Sequence, residues 1–239
     1  MISRNTDADW EDIAQVEPYF GVLSEPKFLM ENLTDEARDE FFERGVSDID
    51  FILAQPEFAE RPRHLAYDFG CGVGRLSTAL ARHFDRVVGI DVSPSMRRIA
   101  RENAERMNLR NVEYVADIPS EMCDLVVSPI VFQHIKPAIG LRLLDNLLAV
   151  SRATAIQITF YRTIERLHEL ARDASMVSYD GDHVEIVRPS ADQDGGMTMY
   201  DYHGGQVLSR FFENGFDTLR LGKTDHGGHI GAWILARRG

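Results

Sequence analysis

Apolar positions along the chain follow two spacings, one typical of helices and one typical of strands. A helix is predicted to begin after Thr34, where apolar residues recur at helical spacing: Phe42, Val46, Ile49 and Leu53. Short apolar runs then predict strands over about 64–70, 86–90, 112–116, 123–128 and 153–161. Helical patterns lie between them, over about 75–84, from Pro94 with Ser93 as its cap, and from Pro137. Strands that alternate with helices of this length predict a parallel sheet.

The last third of the chain departs from that alternation. Residues 162–204 are too many for a simple connection between a strand and a helix, and they predict an insertion. A short helix with Val207 and Phe211 follows and is ended by Gly215. Two strands, over about 217–223 and 231–237, predict an antiparallel hairpin. The predicted fold class is α/β: a Rossmann-like, seven-stranded, mostly parallel sheet with an antiparallel C-terminal hairpin and helices on both faces.

A glycine-rich loop joins the first predicted strand to the helix that follows it. Asp68 stands two places before the alternating glycines Gly70, Gly72 and Gly74. Glycine reaches positive φ freely and has no Cβ to keep a ligand from the backbone. The helix that follows offers unpaired N–H groups at the same place. This stretch predicts a nucleotide-type cofactor site.

The details of the loop distinguish between cofactors. A dinucleotide fingerprint requires a glycine three places after the second one, and here that place holds Arg75. No Gly-Lys-Ser/Thr follows the loop, which excludes a phosphate-binding P-loop. These details favour S-adenosylmethionine over a dinucleotide. An NAD-dependent oxidoreductase stays as an alternative, and it requires NAD to compete with S-adenosylmethionine.

Composition narrows the partners and the location. The formal net charge of −12 opposes a nucleic-acid partner, because phosphate binding needs a basic surface. Two cysteines, Cys71 and Cys123, are too few for a disulfide framework or a cysteine zinc site. No apolar run reaches the length of a membrane span and the N-terminus lacks a signal-peptide core. We expect a cytoplasmic monomer or homodimer that binds a small molecule and neither nucleic acid nor membrane.

Four motifs in a fixed order carry a resemblance to a known family. They are the loop from Asp68 to Gly74, Asp91 at the end of the second strand, Asp117 after the third, and Asp124 to Ser128 followed by Val131 to Ile135. With them the chain resembles the class I S-adenosylmethionine-dependent methyltransferases of the small-molecule type, over about 64–160 and again at 205–238. The resemblance implies methyl transfer to an oxygen or nitrogen of a metabolite or sugar-like acceptor.

The resemblance also implies roles for cofactor-binding residues. Asp91, 23 residues after Asp68, is expected to accept hydrogen bonds from the ribose hydroxyls. Asp68 is expected to orient the loop or to meet the ammonium group. Gly70 and Gly72 are expected beside the methionyl part, with Cys71 between them as a further cofactor-binding residue, and Ser128 is expected to offer backbone groups to the methionyl part. Val92 and Met96 are expected beside the adenine, Asp117 at its amino group and Ile118 at its ring face. Helix core is the alternative for Met96, and a strand-ending serine is the alternative for Ser128.

Candidates for a general base come from two places. A base matters only when the acceptor holds a proton on its reacting atom. His134 follows the fourth strand, and its alternative is a helix cap or a packing group. Tyr202 and His203 stand where the insertion rejoins the core, and an exposed turn is their alternative. Asp180, Asp182 and His183 suggest either a loop turn or a hard-cation site, and we expect no metal.

We predict a single domain over 1–239 with four parts. These are an N-terminal helical cap or lid (1–60), a cofactor-binding core (61–161), a substrate-side insertion (162–204), and a closing helix with a hairpin (205–239). The aromatic residues of the first part either line a lid or pack a helix on the sheet: Tyr19, Phe20, Phe41 and Phe42. The alternative function is a non-catalytic cofactor-binding or regulatory protein of the same fold.

Overall fold

The computed structural model describes residues 6–161, 176–179, 184–187, 198–226 and 229–239. Its helices are α1 (Thr6–Val16), α2 (Pro18–Val22), α3 (Asp35–Leu53), α4 (Arg75–Leu80), α5 (Pro94–Arg106), α6 (Pro137–Ala149) and α7 (Gly204–Glu213), with short 3-10 helices at Pro26–Phe28 and Phe132–His134. Its strands are β1 (Leu65–Phe69), β2 (Arg86–Ile90), β3 (Val112–Val115), β4 (Leu125–Ser128), β5 (Ala153–Tyr161), β6 (Met176–Tyr179), β7 (Val184–Val187), β8 (Thr198–Tyr200), β9 (Thr218–His226) and β10 (His229–Arg237).

Within the described ranges, seven strands form one sheet in the order β3-β2-β1-β4-β5-β10-β9. β1 is parallel to β2 and β4, and β2 is parallel to β3. β10 runs antiparallel to both β5 and β9, so the chain closes with a hairpin. The predicted fold class is confirmed. None of the helices in the described part of the chain is long and apolar enough to cross a membrane.

Side-chain caps fix where two of the helices begin. The Thr34 hydroxyl accepts the N–H of Ala37 at 3.2 Å, and the Ser93 hydroxyl accepts the N–H of Met96 at 3.0 Å. These bonds satisfy N–H groups that have no partner inside the helix. The predicted starts of α3 and α5 are therefore confirmed. The helix predicted over 75–84 is shorter, because after Leu80 the chain continues in turns.

Two regions form elements that the apolar pattern does not reveal. The segment 1–33, which the pattern leaves without a helix, contains α1 and α2. Within the described part of the 162–204 insertion, β6, β7 and β8 form a small antiparallel sheet. Short elements leave too few periodic positions for the spacing to separate a helix or strand from a loop.

The chain divides into two compact units. The first comprises Met1–Ser128 with Val150–Arg152, and the second comprises Pro129–Ala149 with Ala153–Gly239. The prediction that 1–239 forms a single domain stays a prediction.

An aromatic cluster lies beside α5 in the first unit. The ring of Phe41 makes edge-to-face contacts with Tyr19 at 5.2 Å and with Phe28 and Phe42 at 5.3 Å. The Tyr19 hydroxyl donates to the Asn103 side chain of α5 at 2.9 Å. Burying an aromatic side chain of this size contributes about 1.5–3 kcal/mol. These contacts favour the packing alternative for Tyr19, Phe41 and Phe42.

In the second unit, Gly140 of α6 makes room for Tyr202. A Cβ built on Gly140 lies 1.9 Å from the Tyr202 hydroxyl oxygen and 2.8 Å from the ring carbon that carries it. The Tyr202 side chain is buried, with 1% of its surface exposed. Only glycine leaves space for that ring against α6.

We expect Gly140→Ala to destabilise the protein by about 1–3 kcal/mol, because the new methyl group collides with a buried ring. The sign is opposite to helix propensity, which favours alanine over glycine by about 1 kcal/mol. The measurement is urea unfolding. Gly204→Ala is the matched control, since its Cβ meets its nearest neighbour at 3.9 Å. Equal unfolding midpoints for Gly140→Ala and the control contradict this packing.

Candidate functional site

The glycine loop leaves β1 and is bonded at once to the end of β2. The N–H groups of Gly70 and Cys71 both donate to the Ile90 carbonyl, at 2.8 and 3.1 Å. Gly72 has φ +52°, and a Cβ there meets the Val22 side chain of α2 at 2.7 Å. A larger residue at Gly72 therefore meets both backbone strain and a steric obstacle.

The Asp91 carboxylate lies against this loop. One oxygen accepts the N–H of Gly72 at 2.8 Å and the other accepts the N–H of Ser93 at 2.9 Å. Burial raises the pKa of Asp91 above its ordinary value, and the two N–H donors act in the opposite direction. A carboxylate offers about four lone-pair sites, so each oxygen keeps capacity to accept a further donor.

Asp68 lies deeper, at the end of β1. Its side chain is 1% exposed and accepts the Ser77 hydroxyl of α4 at 2.6 Å. Burial raises the pKa of Asp68 to about 6, although the Ser77 hydroxyl and the charge of Arg75 lower it. Cys71 is also buried, and burial raises the pKa of its thiol well above the ordinary value. The thiol is therefore protonated at neutral pH.

Arg75 occupies the place where a dinucleotide site has its third glycine. Its side chain is buried and pairs with Asp48 of α3 at 2.6 Å. A Cβ built on Gly45 of α3 lies 2.6 Å from the Arg75 carbonyl oxygen. Helix α4 therefore packs closely against α3 at Gly45. In a dinucleotide site the close packing is instead between helix and strand, at the third glycine of the fingerprint.

The other predicted cofactor residues differ in how far they are exposed. Val92 is 51% exposed, whereas Met96 is 1% exposed and packs among the aromatic residues of the first unit. Asp117 is exposed and Ile118 is half-buried, both just beyond β3. The Ser128 hydroxyl donates to the Phe69 carbonyl at 3.0 Å and so joins the ends of β4 and β1. The contacts of Met96 are those of a residue in the helix core, and the contact of Ser128 is that of a serine that ends a strand; both were the alternatives to cofactor binding.

Glu11 and Val22 are contacts of this site that the sequence reasoning missed. Glu11 of α1 accepts the Ser93 hydroxyl at 2.6 Å, 82 residues away in the chain, and Val22 lies over Gly72. Both belong to short helices without a motif, so no local spacing identifies them.

In the second unit, His134 is buried beside Gln133. The His134 Nε2 atom lies 3.2 Å from the Gln133 Nε2 atom, and the side-chain Oε1 atom of Gln133 accepts the Thr159 hydroxyl at 3.2 Å. In this orientation of the amide, Gln133 donates to His134, which places the proton of the neutral ring on Nδ1. The contact orients the imidazole and occupies the lone pair on Nε2.

Tyr202 and His203 also have partners. The Tyr202 hydroxyl donates to the Ile135 carbonyl at 2.7 Å, its ring meets Phe132 edge-on, and burial raises its pKa. The His203 Nδ1 atom accepts the N–H of Gln206 at 3.3 Å and caps α7. These contacts favour packing for Tyr202 and capping for His203. Their catalytic roles, and that of His134, stay predictions.

The described residues hold no group of three or more His, Cys, Asp or Glu side chains placed to bind a metal ion. The sequence pattern that suggests a cation site, Asp180, Asp182 and His183, lies outside the described residues.

The raised pKa of Asp68 makes stability depend on pH. Its ordinary value is 3.8 and its folded value about 6, so folding favours the protonated form and that stabilisation is lost as pH rises from about 4 to about 6. Asn is neutral throughout. We expect the unfolding free energy of Asp68→Asn, relative to that of the wild type, to increase as pH rises through this window, by roughly 3 kcal/mol at most. Urea unfolding of both proteins at several pH values measures it, and a difference that is constant with pH contradicts the burial of an ionisable Asp68.

Part of the chain is similar to known methyltransferases. Residues 66–153 match the family model described as "Methyltransferase domain". A human protein, tRNA (uracil-5-)-methyltransferase homolog A, is 31% identical over 102 residues, which cover 41% of this chain and 16% of the human one. Matches to curated relatives cover between 16% and 64% of their lengths.

Solved structures share the fold. Magnesium protoporphyrin IX methyltransferase from Synechocystis PCC 6803 with bound S-adenosylmethionine has a TM-score of 0.61 at 16% identity, with 100% of both chains covered. The N-terminal domain of EvdMO1, in the presence of S-adenosylhomocysteine and D-fucose, has a TM-score of 0.57 at 14% identity, with 83% of this chain and 82% of that one covered. At such identities the likeness concerns the fold.

The matched domain spans the glycine loop, Asp91, Asp117 and β4, which are the motifs that carry the resemblance. Residues 66–153 therefore match a methyltransferase domain, and the sheet has the fold of solved S-adenosylmethionine-dependent methyltransferases.

Proposed function

We propose that this protein transfers a methyl group from S-adenosylmethionine to an oxygen or nitrogen of a small-molecule acceptor. The observation that carries the proposal is the Asp91 carboxylate, which joins the glycine loop to the start of α5 through Gly72 and Ser93. It brings an acceptor of hydrogen bonds next to backbone that carries no side chain.

The residues present fit the cofactor. Asp91 keeps acceptor capacity on both oxygens for the ribose hydroxyls. Gly70 and Gly72, with φ of +75° and +52°, leave the loop backbone bare for the methionyl part. Asp68, held by Ser77, supplies a negative charge beneath the loop when it is ionised. Val92, exposed at the end of β2, offers an apolar surface to the adenine, with Asp117 and Ile118 beyond β3.

Catalysis by this protein consists mainly of alignment. When bound, S-adenosylmethionine supplies a methyl group on a positively charged sulfur. The fixed loop and the Asp91 carboxylate orient the donor, and alignment of two reactants in an enzyme removes a large entropic part of the barrier. We propose His134 as the first candidate to receive a proton from the acceptor, with His203 and Tyr202 after it. The lone pair on His134 Nε2 can accept a proton only after the Gln133 side-chain amide has ceased to donate to it.

Two observations support a small acceptor. The net charge of −12 disfavours a polyanionic partner. Two of the structural neighbours are also described with small molecules: one is named a magnesium protoporphyrin IX methyltransferase, and the other was solved in the presence of D-fucose. Residues 162–204 form the candidate acceptor-side segment, as their position after β5 suggests.

A tRNA acceptor is the second candidate. It rests on the 31% identity to a human protein named for tRNA uracil methylation. That match covers 16% of the human chain, so it reaches a shared domain and leaves most of the relative without a counterpart here.

Isothermal titration tests the cofactor site. We expect S-adenosylhomocysteine to bind the wild type and Asp91→Ala to abolish measurable binding, because the ribose loses its acceptor and the loop loses a bond. Asp85→Ala is the matched control: Asp85 precedes β2, as Asp91 follows it, and its carboxylate is 76% exposed in a surface pair with His64. Circular dichroism confirms that both variants fold. Unchanged binding in Asp91→Ala refutes the site.

A transfer assay with cofactor labelled in the methyl group tests the acceptor. We expect label in a low-molecular-weight metabolite fraction and none in total tRNA, because a net charge of −12 disfavours binding of a polyanion. Label in tRNA replaces the small-molecule proposal with the second candidate. Cofactor binding without transfer to either fraction supports a non-catalytic binding protein.

A further inference from the structure

The N-terminal helices α1 and α2 contact the candidate cofactor site at two separate places. Glu11 of α1 reaches the residues after β2, and Val22 of α2 reaches the glycine loop after β1. These are the two strand ends that Asp91 also joins.

Glu11 binds the start of α5 through both of its carboxylate oxygens. One accepts the Ser93 hydroxyl at 2.6 Å and the Ser95 N–H at 3.1 Å, and the other accepts the Ser95 hydroxyl at 2.5 Å. The Ser93 and Ser95 hydroxyls, foremost among these donors, hold the pKa of Glu11 at about 2. The carboxylate is therefore charged at neutral pH, and its hydrogen bonds are of the stronger, charge-assisted kind.

Ser93 links Glu11 to Asp91. Its hydroxyl donates to Glu11 while it accepts the Met96 N–H, and its backbone N–H donates to Asp91 at 2.9 Å. Asp91 in turn accepts the Gly72 N–H at 2.8 Å. A continuous chain of hydrogen bonds thus runs from α1 to the glycine loop. A change at Glu11 reaches Asp91 through a single residue.

The two helices act together because they pack closely on each other. A Cβ built on Gly21 of α2 lies 2.6 Å from the Ile13 side chain of α1 and 3.7 Å from Trp10. Holding α1 at Ser93 therefore also holds Val22 against Gly72. Helix α1 thus contacts the site at Ser93 and helix α2 contacts it at Gly72, the two residues whose N–H groups bind Asp91.

We propose that Glu11 is a positioning residue of the cofactor site, which fixes Ser93 so that its N–H orients Asp91, and which holds α1 and α2 against the glycine loop. The inference rests on the proposed function, because it assigns Glu11 an effect on adenosyl binding. Glu11 touches Ser93 and Ser95 and acts through them.

Titration of S-adenosylhomocysteine into the full chain tests the proposal. We expect Glu11→Ala to weaken binding about tenfold, which corresponds to about 1.4 kcal/mol, and Glu11→Gln to weaken it less because the amide retains one acceptor. Asp12→Asn is the matched control, since it removes the same charge from an exposed neighbour on α1. Ser95→Ala removes one of the two hydroxyl groups that donate to Glu11. We expect its affinity for S-adenosylhomocysteine to lie between those of Asp12→Asn and Glu11→Ala.

A second ligand separates positioning from a loss of structure. The 2′,3′-dideoxyribose analogue of S-adenosylhomocysteine lacks the hydroxyls that Asp91 is proposed to bind. If Glu11 acts through Asp91, Glu11→Ala weakens this analogue less than the parent ligand. A general structural defect weakens both ligands equally, and that result overturns the proposal.

The outcomes also separate this inference from the proposed function. A wild type that binds no S-adenosylhomocysteine refutes the proposed function itself. A wild type that binds it, with Glu11→Ala and Ser95→Ala matching Asp12→Asn, refutes the inference alone. If Glu11→Ala does not fold, Glu11→Gln and Ser95→Ala carry the test, and both must weaken binding for the proposal to stand.

Discussion

The Asp91 carboxylate holds the ends of β1 and β2 together by accepting the backbone N–H groups of Gly72 and Ser93. A half-buried carboxylate needs such donors, because an unpaired charge away from water is costly. The loop needs the acceptor in return, since a bare glycine backbone has no side chain to stabilise it. One carboxylate thus binds the glycine loop and leaves acceptor capacity beside it, so the conformation of the loop and the candidate site depend on the same contact.

Local signals made this part of the chain predictable from sequence. The alternating glycines, the acid that ends β2 and the Ser93–Pro94 start of α5 each act within a few residues, so the sequence spacing is also the structural spacing. The structure also explains why Arg75 can stand where a dinucleotide site needs its third glycine. Arg75 is buried against Gly45, which shows how the chain packs α4 without the third glycine.

The remaining site contacts depend on residues far apart in sequence, and no spacing could reveal them. Glu11 and Ser93 are 82 residues apart, and α1 and α2 gain their structure from aromatic packing against α3 and α5. The predicted base residues illustrate the same limit. Position in the chain marks His134 and Tyr202 as candidates, whereas their partners, Gln133 and the Ile135 carbonyl, become visible only in the folded unit. A buried hydroxyl that already donates to a carbonyl is better suited to packing than to proton transfer.

A crystal structure of the protein with bound S-adenosylhomocysteine would show whether the Asp91 carboxylate binds the ribose. We expect both ribose hydroxyls within hydrogen-bond distance of the Asp91 carboxylate, while the bonds of Asp91 to the N–H groups of Gly72 and Ser93 persist. An adenosyl group bound elsewhere, or an Asp91 that contacts backbone alone in the complex, contradicts this expectation.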